Sequence, residues 1–173
     1  MQIIDVKRKR LSEWFTVVEK TVMLGGNRSV YHSIDIHNYA SIIALNKKKE
    51  IILVEQFRPS VEKITLELPG GIFKKPDKPK ATAVNELFEE TGYKADGVVD
   101  QIACVDVDYG RLSNKAYCFF CKDVYRDINS VPEKGIKTLT LPINEVLNKI
   151  KMNKFLHSPH IGFILLAKLK NFF

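Results

Sequence analysis

Gly71-Ile-Phe-Lys-Lys-Pro-Asp77-Lys-Pro-Lys-Ala-Thr-Ala-Val-Asn85-Glu86-Leu-Phe-Glu89-Glu90-Thr-Gly92-Tyr93 is the stretch on which the reading of this chain turns. Its second half has the period of a helix, with Ala83, Val84, Leu87 and Phe88 recurring at three- and four-residue spacing between Pro79 and Thr91. Asp77 is placed to act as N-cap, Pro79 fits a first turn, and Gly92 is a natural stop. On such a helix Glu86 stands three residues before Glu89 and four before Glu90, so the three carboxylates share one face. Like charges at these spacings repel by ~0.2–0.5 kcal/mol per pair. The helix macrodipole also favours cations, not anions, near a C-terminus. Local stability therefore does not explain the cluster. A bound hard cation would, because Mg²⁺ and Mn²⁺ favour carboxylate oxygen. A solvated acidic face is the alternative for the glutamates alone, and the glycine-bearing loop before the helix weighs against it by letting backbone approach an ion or ligand.

Upstream, the chain reads as strands. Residues 14–23 and 30–37 flank the turn Gly25-Gly26-Asn27, a hairpin signature. Residues 40–45 and 51–54 are apolar runs separated by Asn46-Lys-Lys-Lys-Glu50, and 64–68 is a short strand stopped by Pro69-Gly70-Gly71. Downstream, strands are expected at 98–107, 115–124 and near 137–141, followed by amphipathic helices at 143–152 and 160–169. One mixed α+β domain accounts for this order.

The chain has 173 residues, of which 45% are hydrophobic and 27% charged, as in an ordinary globular domain. No apolar run reaches the ~18–20 residues of a membrane span, and the start has no signal-like apolar region. The cytoplasm is the expected location, with no membrane partner. Cys104, Cys118 and Cys121 are an odd set that does not suggest a disulfide framework. Cys118-Phe-Phe-Cys121 lies in an aromatic run that reads as a buried strand. The net charge of +7 favours anionic partners. Residues 7–10 and 47–49 read as solvated turns or termini, and without interleaved aromatics a nucleic-acid partner is disfavoured but not excluded. His32, His37, His157 and His160 are scattered and suggest no rival site.

The quoted segment resembles the Nudix box, G-x5-E-x7-R-E-U-x-E-E-x-G-U, with U a bulky apolar residue. Gly71, Glu86, Leu87, Glu89, Glu90, Gly92 and Tyr93 match in register, while Asp77 replaces the first glutamate and Asn85 the arginine. Asn85 keeps hydrogen bonding but lacks the charged bidentate fork. Gln56-Phe-Arg58-Pro and Glu67-Leu-Pro-Gly-Gly71 are similar to the ADP-ribose pyrophosphatase branch of that family, as is Leu112-Ser-Asn, although Gly110-Arg111 stands where the branch has Pro-Gly.

The resemblance implies an α+β Nudix fold, a mixed β-sheet sandwiched between helices with an N-terminal antiparallel hairpin. Residues 1–38 would be the hairpin region and a dimerisation element, giving a homodimer, and 39–173 the Nudix domain. It implies Mg²⁺, with Mn²⁺ as substitute, held by Glu86, Glu90 and the Gly70 carbonyl. Glu89 would be a third ligand or hold a water, and Glu133 would serve as base. Arg58 would pair with substrate phosphate, and Ile72 backbone would touch substrate. Tyr109 and Trp14 would stack on a nucleobase, with a core or dimer contact equally open for Trp14. The implied reaction is hydrolysis of a nucleoside diphosphate sugar, ADP-ribose foremost. Another nucleotide sugar, a dinucleoside polyphosphate and an RNA cap remain open as substrates. A weakly active nucleotide-binding module is the reading from a different class, motivated by Asn85.

Overall fold

Alternation along three central strands divides the core. In the computed structural model, which describes residues 1–73 and 76–173, Ala40, Ile42 and Ala44 of β4 (Asn38–Asn46) face one layer and Ile43 and Leu45 the other. Ile52 of β5 (Glu50–Arg58) opposes Ile51 and Leu53 in the same way. In β10 (Lys115–Arg126), Phe119 and Cys121 oppose Cys118 and Phe120. Strands buried on both faces read as continuous apolar runs, and a helix must cover each face. The helix α1 (Pro79–Thr91) covers one through Ala83 and Leu87. The helices α2 (Ile143–Lys151) and α3 (Ser158–Leu169) cover the other through Val146, Phe163 and Ile164. The sandwich that the family resemblance implies is present, and Cys118 and Cys121 are fully buried within it.

The eight-stranded sheet runs β11-β5-β4-β10-β8, where β8 is Tyr93–Ala95 and β11 is Ile136–Pro142. Three strands pair off this path: β6 (Lys63–Glu67) with β5, β7 (Gly70–Phe73) with β4, and β9 (Val99–Asp106) with β10. The β4–β10 pair is parallel and the other pairs antiparallel, so the sheet is mixed.

The N-terminal hairpin is one strand larger than expected. β1 (Gln2–Arg10), β2 (Phe15–Leu24) and β3 (Asn27–Ile36) form an antiparallel sheet in that order. The basic run 7–10, expected as a solvated turn or terminus, belongs to β1, where Lys7 meets Glu19 and Arg8 meets Asp35 across the sheet. Every residue of β1 is exposed, so no apolar alternation marked it as a strand. β3 is tied to the 108–113 turn: the Ile34 amide donates to Arg111 O at 2.7 Å, the Ser113 amide to Ile34 O at 3.2 Å, and Tyr31 Oη to Gly110 O.

Two more expectations shift. Asp77 is exposed and is not the cap of α1. Pro79 at the first helical position forces its predecessor out of the helical region, so Lys78, at φ −98° and ψ 131°, is the N-cap. α3 begins at Ser158 rather than 160, with Pro159 in its first turn. At the other end of α1, Gly92 takes φ +72°, and a Cβ there would run into Ser130. We expect Gly92→Ala to destabilise the fold by about 1–3 kcal/mol, measured by urea unfolding, with wild-type stability as the contrary result.

Candidate active site

The site grows from two glycines. Gly70 and Gly71 start β7, in register with Ser41 and Ala40 of β4. A Cβ on Gly70 would collide with the Ala40 carbonyl, and one on Gly71 would fall inside the Glu86 carboxylate. The stretch expected to be a loop is therefore a strand, drawn close to β4 because neither glycine carries a side chain. The missing Cβ of Gly71 is what leaves room for Glu86. We expect Gly71→Ala to displace that carboxylate and lower activity by about 10-fold or more, with the thermal midpoint little changed. Unchanged turnover would show that the position of Glu86 does not matter.

Glu86 and Glu90 both border a cavity of about 640 Å³, shared with Arg58, Glu67, Ile72, Glu133 and Trp14. Glu90 is only 4% exposed and accepts the Gly70 amide at 2.9 Å. Burial pushes its carboxyl up to about 8, with Glu86 and Glu67 adding to the rise while the Gly70 amide and Arg58 oppose it. Glu86 is raised too, by burial first and then by Glu89 and Glu133. Two carboxyls facing one cavity, each disfavoured as anions, are what a divalent cation would relieve.

Among the described residues no group of three or more Asp, Glu, His or Cys side chains is gathered tightly enough to hold an ion on its own. The all-oxygen set of Glu86, Glu90 and backbone nevertheless fits Mg²⁺, which commonly takes one or two carboxylates and completes its shell with water and phosphate.

Glu89 is exposed and borders a separate cavity of about 330 Å³ with Phe88, Ser130, Val131 and Glu133. Glu133 borders both cavities. Its loop is docked on the end of α1, whose last carbonyls need partners. The Glu133 amide donates to Glu89 O at 3.0 Å, and the Asp127 amide to Gly92 O at 2.9 Å.

Arg58, at the end of β5, is paired within the protein. Its Nε and an Nη donate to the two oxygens of Glu67 at 2.7 and 2.8 Å, and Thr65 Oγ1 donates to the same carboxylate at 2.6 Å. Glu67 is buried, and the sequence had assigned it no role.

Trp14 and Ile72 also border a second, more apolar cavity of about 440 Å³, together with Tyr39, Asn114 and His157. Trp14 stands edge-on to His37, with ring centres 6.4 Å apart. Tyr109 is 90% exposed on the 108–112 turn and borders neither of these two cavities.

His157 and His160, set aside in the sequence as scattered, both border the larger cavity, with ring centres 4.0 Å apart. The signal available was Ser158-Pro159, which starts α3 and puts both rings at its first turn. Among the described residues, Tyr39, His157 and Asn114 border these cavities and each carry a buried polar atom, Oη, Nδ1 and Oδ1 respectively, with no hydrogen-bond partner.

A glutamate-bearing helix lies against a double-glycine strand, in a mixed sheet between helices. The Nudix domain model matches residues 35–160, and the chain belongs to the Nudix family. Among its relatives is the methanol dehydrogenase activator of Bacillus methanolicus, 26% identical over 121 residues, 68% of this chain and 65% of that protein. Another is the ADP-ribose pyrophosphatase of Saccharomyces cerevisiae, 30% identical over 145 residues, 83% of this chain and 58% of that protein. The chain thus spans less than two thirds of either relative's length. A crystal structure of an ADP compounds hydrolase superposes with a TM-score of 0.81 at 18% identity, covering 96% of this chain and 91% of that one, which shows the fold in common.

Proposed function

We propose that the chain is a Mg²⁺-dependent hydrolase of nucleoside diphosphate sugars, with ADP-ribose, cut by water to AMP and ribose 5-phosphate, as the foremost substrate. The observation that carries this reading is the pair Glu86 and Glu90, two carboxyls disfavoured as anions and facing one cavity beside Gly70 and Gly71. Glu86, Glu90 and the Gly70 carbonyl would hold the cation, Mn²⁺ serving as substitute, with Glu89 at its margin. When bound, the cation offsets charge on the diphosphate oxygens and lowers the pKa of water.

The protein's own groups then divide the work. Arg58 would turn its exposed side to substrate phosphate while Glu67 fixes its plane. Glu133, carried by a loop docked on α1, would take the proton from the attacking water. Ile72 backbone and Trp14 would line the nucleoside half, where Tyr39, Asn114 and His157 offer unpaired polar atoms.

The test is to incubate the protein with Mg²⁺ and a panel of nucleotide sugars, dinucleoside polyphosphates and capped RNA, then to chromatograph the products. AMP with ribose 5-phosphate from ADP-ribose is the expected result. No turnover of any compound with Mg²⁺ or Mn²⁺, while nucleotide binding is retained, would replace this reading with a regulatory nucleotide-binding module. Asn85 and the relative named as an activator favour that second reading.

The sheet of residues 1–38 would serve dimerisation. Ile3, Val6, Leu24 and Val30 are exposed on it, and light scattering at dimer mass is the expected outcome. No helix among the described residues is long and apolar enough to cross a membrane.

A further inference from the structure

His160 lies on the far side of the sheet from α1, yet it reaches the same bend. It is 3% exposed, and both ring nitrogens are engaged. The Leu68 amide donates to Nδ1 at 3.1 Å, and Nε2 lies 2.9 Å from Ser41 Oγ. A backbone N–H only donates, so Nδ1 is the acceptor and the ring proton sits on Nε2, donating to Ser41. Burial, followed by the nearby His157 and Arg58, holds this imidazole well below its ordinary range, so the neutral ring is the form present at neutral pH.

Leu68, Pro69 and Gly70 make the bend from β6 into β7, and their amides are fully accounted for. The Leu68 amide goes to His160, Pro69 has none, and the Gly70 amide goes to Glu90. The Pro69 carbonyl accepts the Ile42 amide at 3.0 Å. Ser41, the other partner of His160, is the β4 residue paired with Gly70. His160 therefore grips both strands that meet at Gly70, β4 through Ser41 and the bend through Leu68.

We propose that His160 is a positioning residue: through Ser41 and Leu68 it sets where Gly70 stands relative to Glu90, and so shapes a cation site from the opposite face of the sheet. This rests on the reading of Gly70, Glu86 and Glu90 as that site. Groups that orient a metal's ligands in this way change affinity by ~10–100-fold when removed. A residue that merely filled the core would change stability alone.

The test compares wild type, His160→Leu, His160→Gln and Ser41→Ala by calorimetric titration with Mn²⁺ alone, and by exchange of the Leu68 amide proton. His160→Leu keeps the bulk and loses both bonds. It is expected to bind Mn²⁺ about 10-fold more weakly and to exchange the Leu68 amide faster. Gln can still accept from Leu68 and donate to Ser41, so His160→Gln should recover most of the affinity. Ser41→Ala should fall between. Wild-type Mn²⁺ affinity in every folded variant, with only the thermal midpoint lowered, would overturn the role. Should His160→Leu fail to fold, Ser41→Ala with wild-type affinity would overturn it equally. If the wild-type protein binds no Mn²⁺, the cation-site reading falls first and this role with it, a result distinct from binding that the variants leave untouched.

Discussion

Glu90→Gln is expected to make the metal-free protein more stable at pH 8 while abolishing its turnover. Glu90 is buried, and its carboxyl is pushed up to about 8, chiefly by desolvation. The unfolded chain releases this proton near 4.5, the folded chain only near 8. Between those values the folded state holds more protons, so stability is greatest on the acid side and falls as pH rises through the window. One unit corresponds to about 1.4 kcal/mol. Water reaching the carboxylate through the cavity reduces the full effect, and about 2 kcal/mol at pH 8 is expected.

Glutamine keeps an oxygen for the Gly70 amide and carries no charge, so the variant should not show this loss. Urea unfolding of both proteins in chelator should give a gap in favour of the variant at pH 8 that closes toward pH 5. Adding Mg²⁺ should reverse the order, because a cation bound only by the folded wild type stabilises it. Turnover in the variant should fall at least about 100-fold, about 2.7 kcal/mol of transition-state stabilisation. Turnover within about threefold of wild type would remove Glu90 from the cation site.

The opposition between local stability and function made this helix legible in the sequence. Glu86, Glu89 and Glu90 stand where neither charge spacing nor the macrodipole wants them. Gly92 was equally readable, because its left-handed conformation terminates α1 where the period ends. The apolar runs holding Ile42 and Phe119 and the periodic position of Leu87 made a mixed α+β domain readable, since a strand buried on both faces cannot hide its composition, while the sandwich itself came with the family resemblance.

What stayed illegible depends on partners distant in sequence. β1 buries no side chain and exists through its pairing with β2. β7 is a strand because two glycines let it approach β4, and glycines by themselves read as a turn. His160 and Leu68 are 92 residues apart, and no local pattern joins them. The spacing also placed three carboxylates on one helical face but could not show that Glu89 borders a different cavity from Glu86 and Glu90, since that depends on the loop bearing Glu133.

Arg58→Met should cost more stability than Glu67→Gln, although both break the same ion pair. The Glu67 side chain is 7% exposed and that of Arg58 43%. Removing the arginine strands a buried carboxylate, whereas removing the glutamate leaves a guanidinium that can turn to water. Breaking a fully buried pair costs about 3–5 kcal/mol, and the half-exposed arginine lowers the expectation to about 2 kcal/mol for Arg58→Met, with less than about 1 for Glu67→Gln. Once Met replaces the arginine, adding Glu67→Gln should restore part of the loss, so the double variant should be more stable than Arg58→Met alone.

The pH dependence follows from Glu67. Burial alone would raise its carboxyl, but hydrogen bonds from Arg58 and Thr65 outweigh it and hold the group below the ordinary carboxylate range. A lowered folded value stabilises the protein above the unfolded value near 4.5 and is lost as pH falls through the lower folded one. The deficit of Arg58→Met should therefore be full at pH 7 and shrink as acid protonates the stranded Glu67, which burial without the arginine raises above the ordinary carboxylate value. Kinetics separate the structural and substrate roles of the arginine. If Arg58 also meets substrate phosphate, Arg58→Met should raise KM about 10-fold or more while Glu67→Gln, which keeps the guanidinium, raises it less. Equal stability losses in the two single variants, together with a KM that neither changes, would show that Arg58 neither shields Glu67 nor touches the substrate.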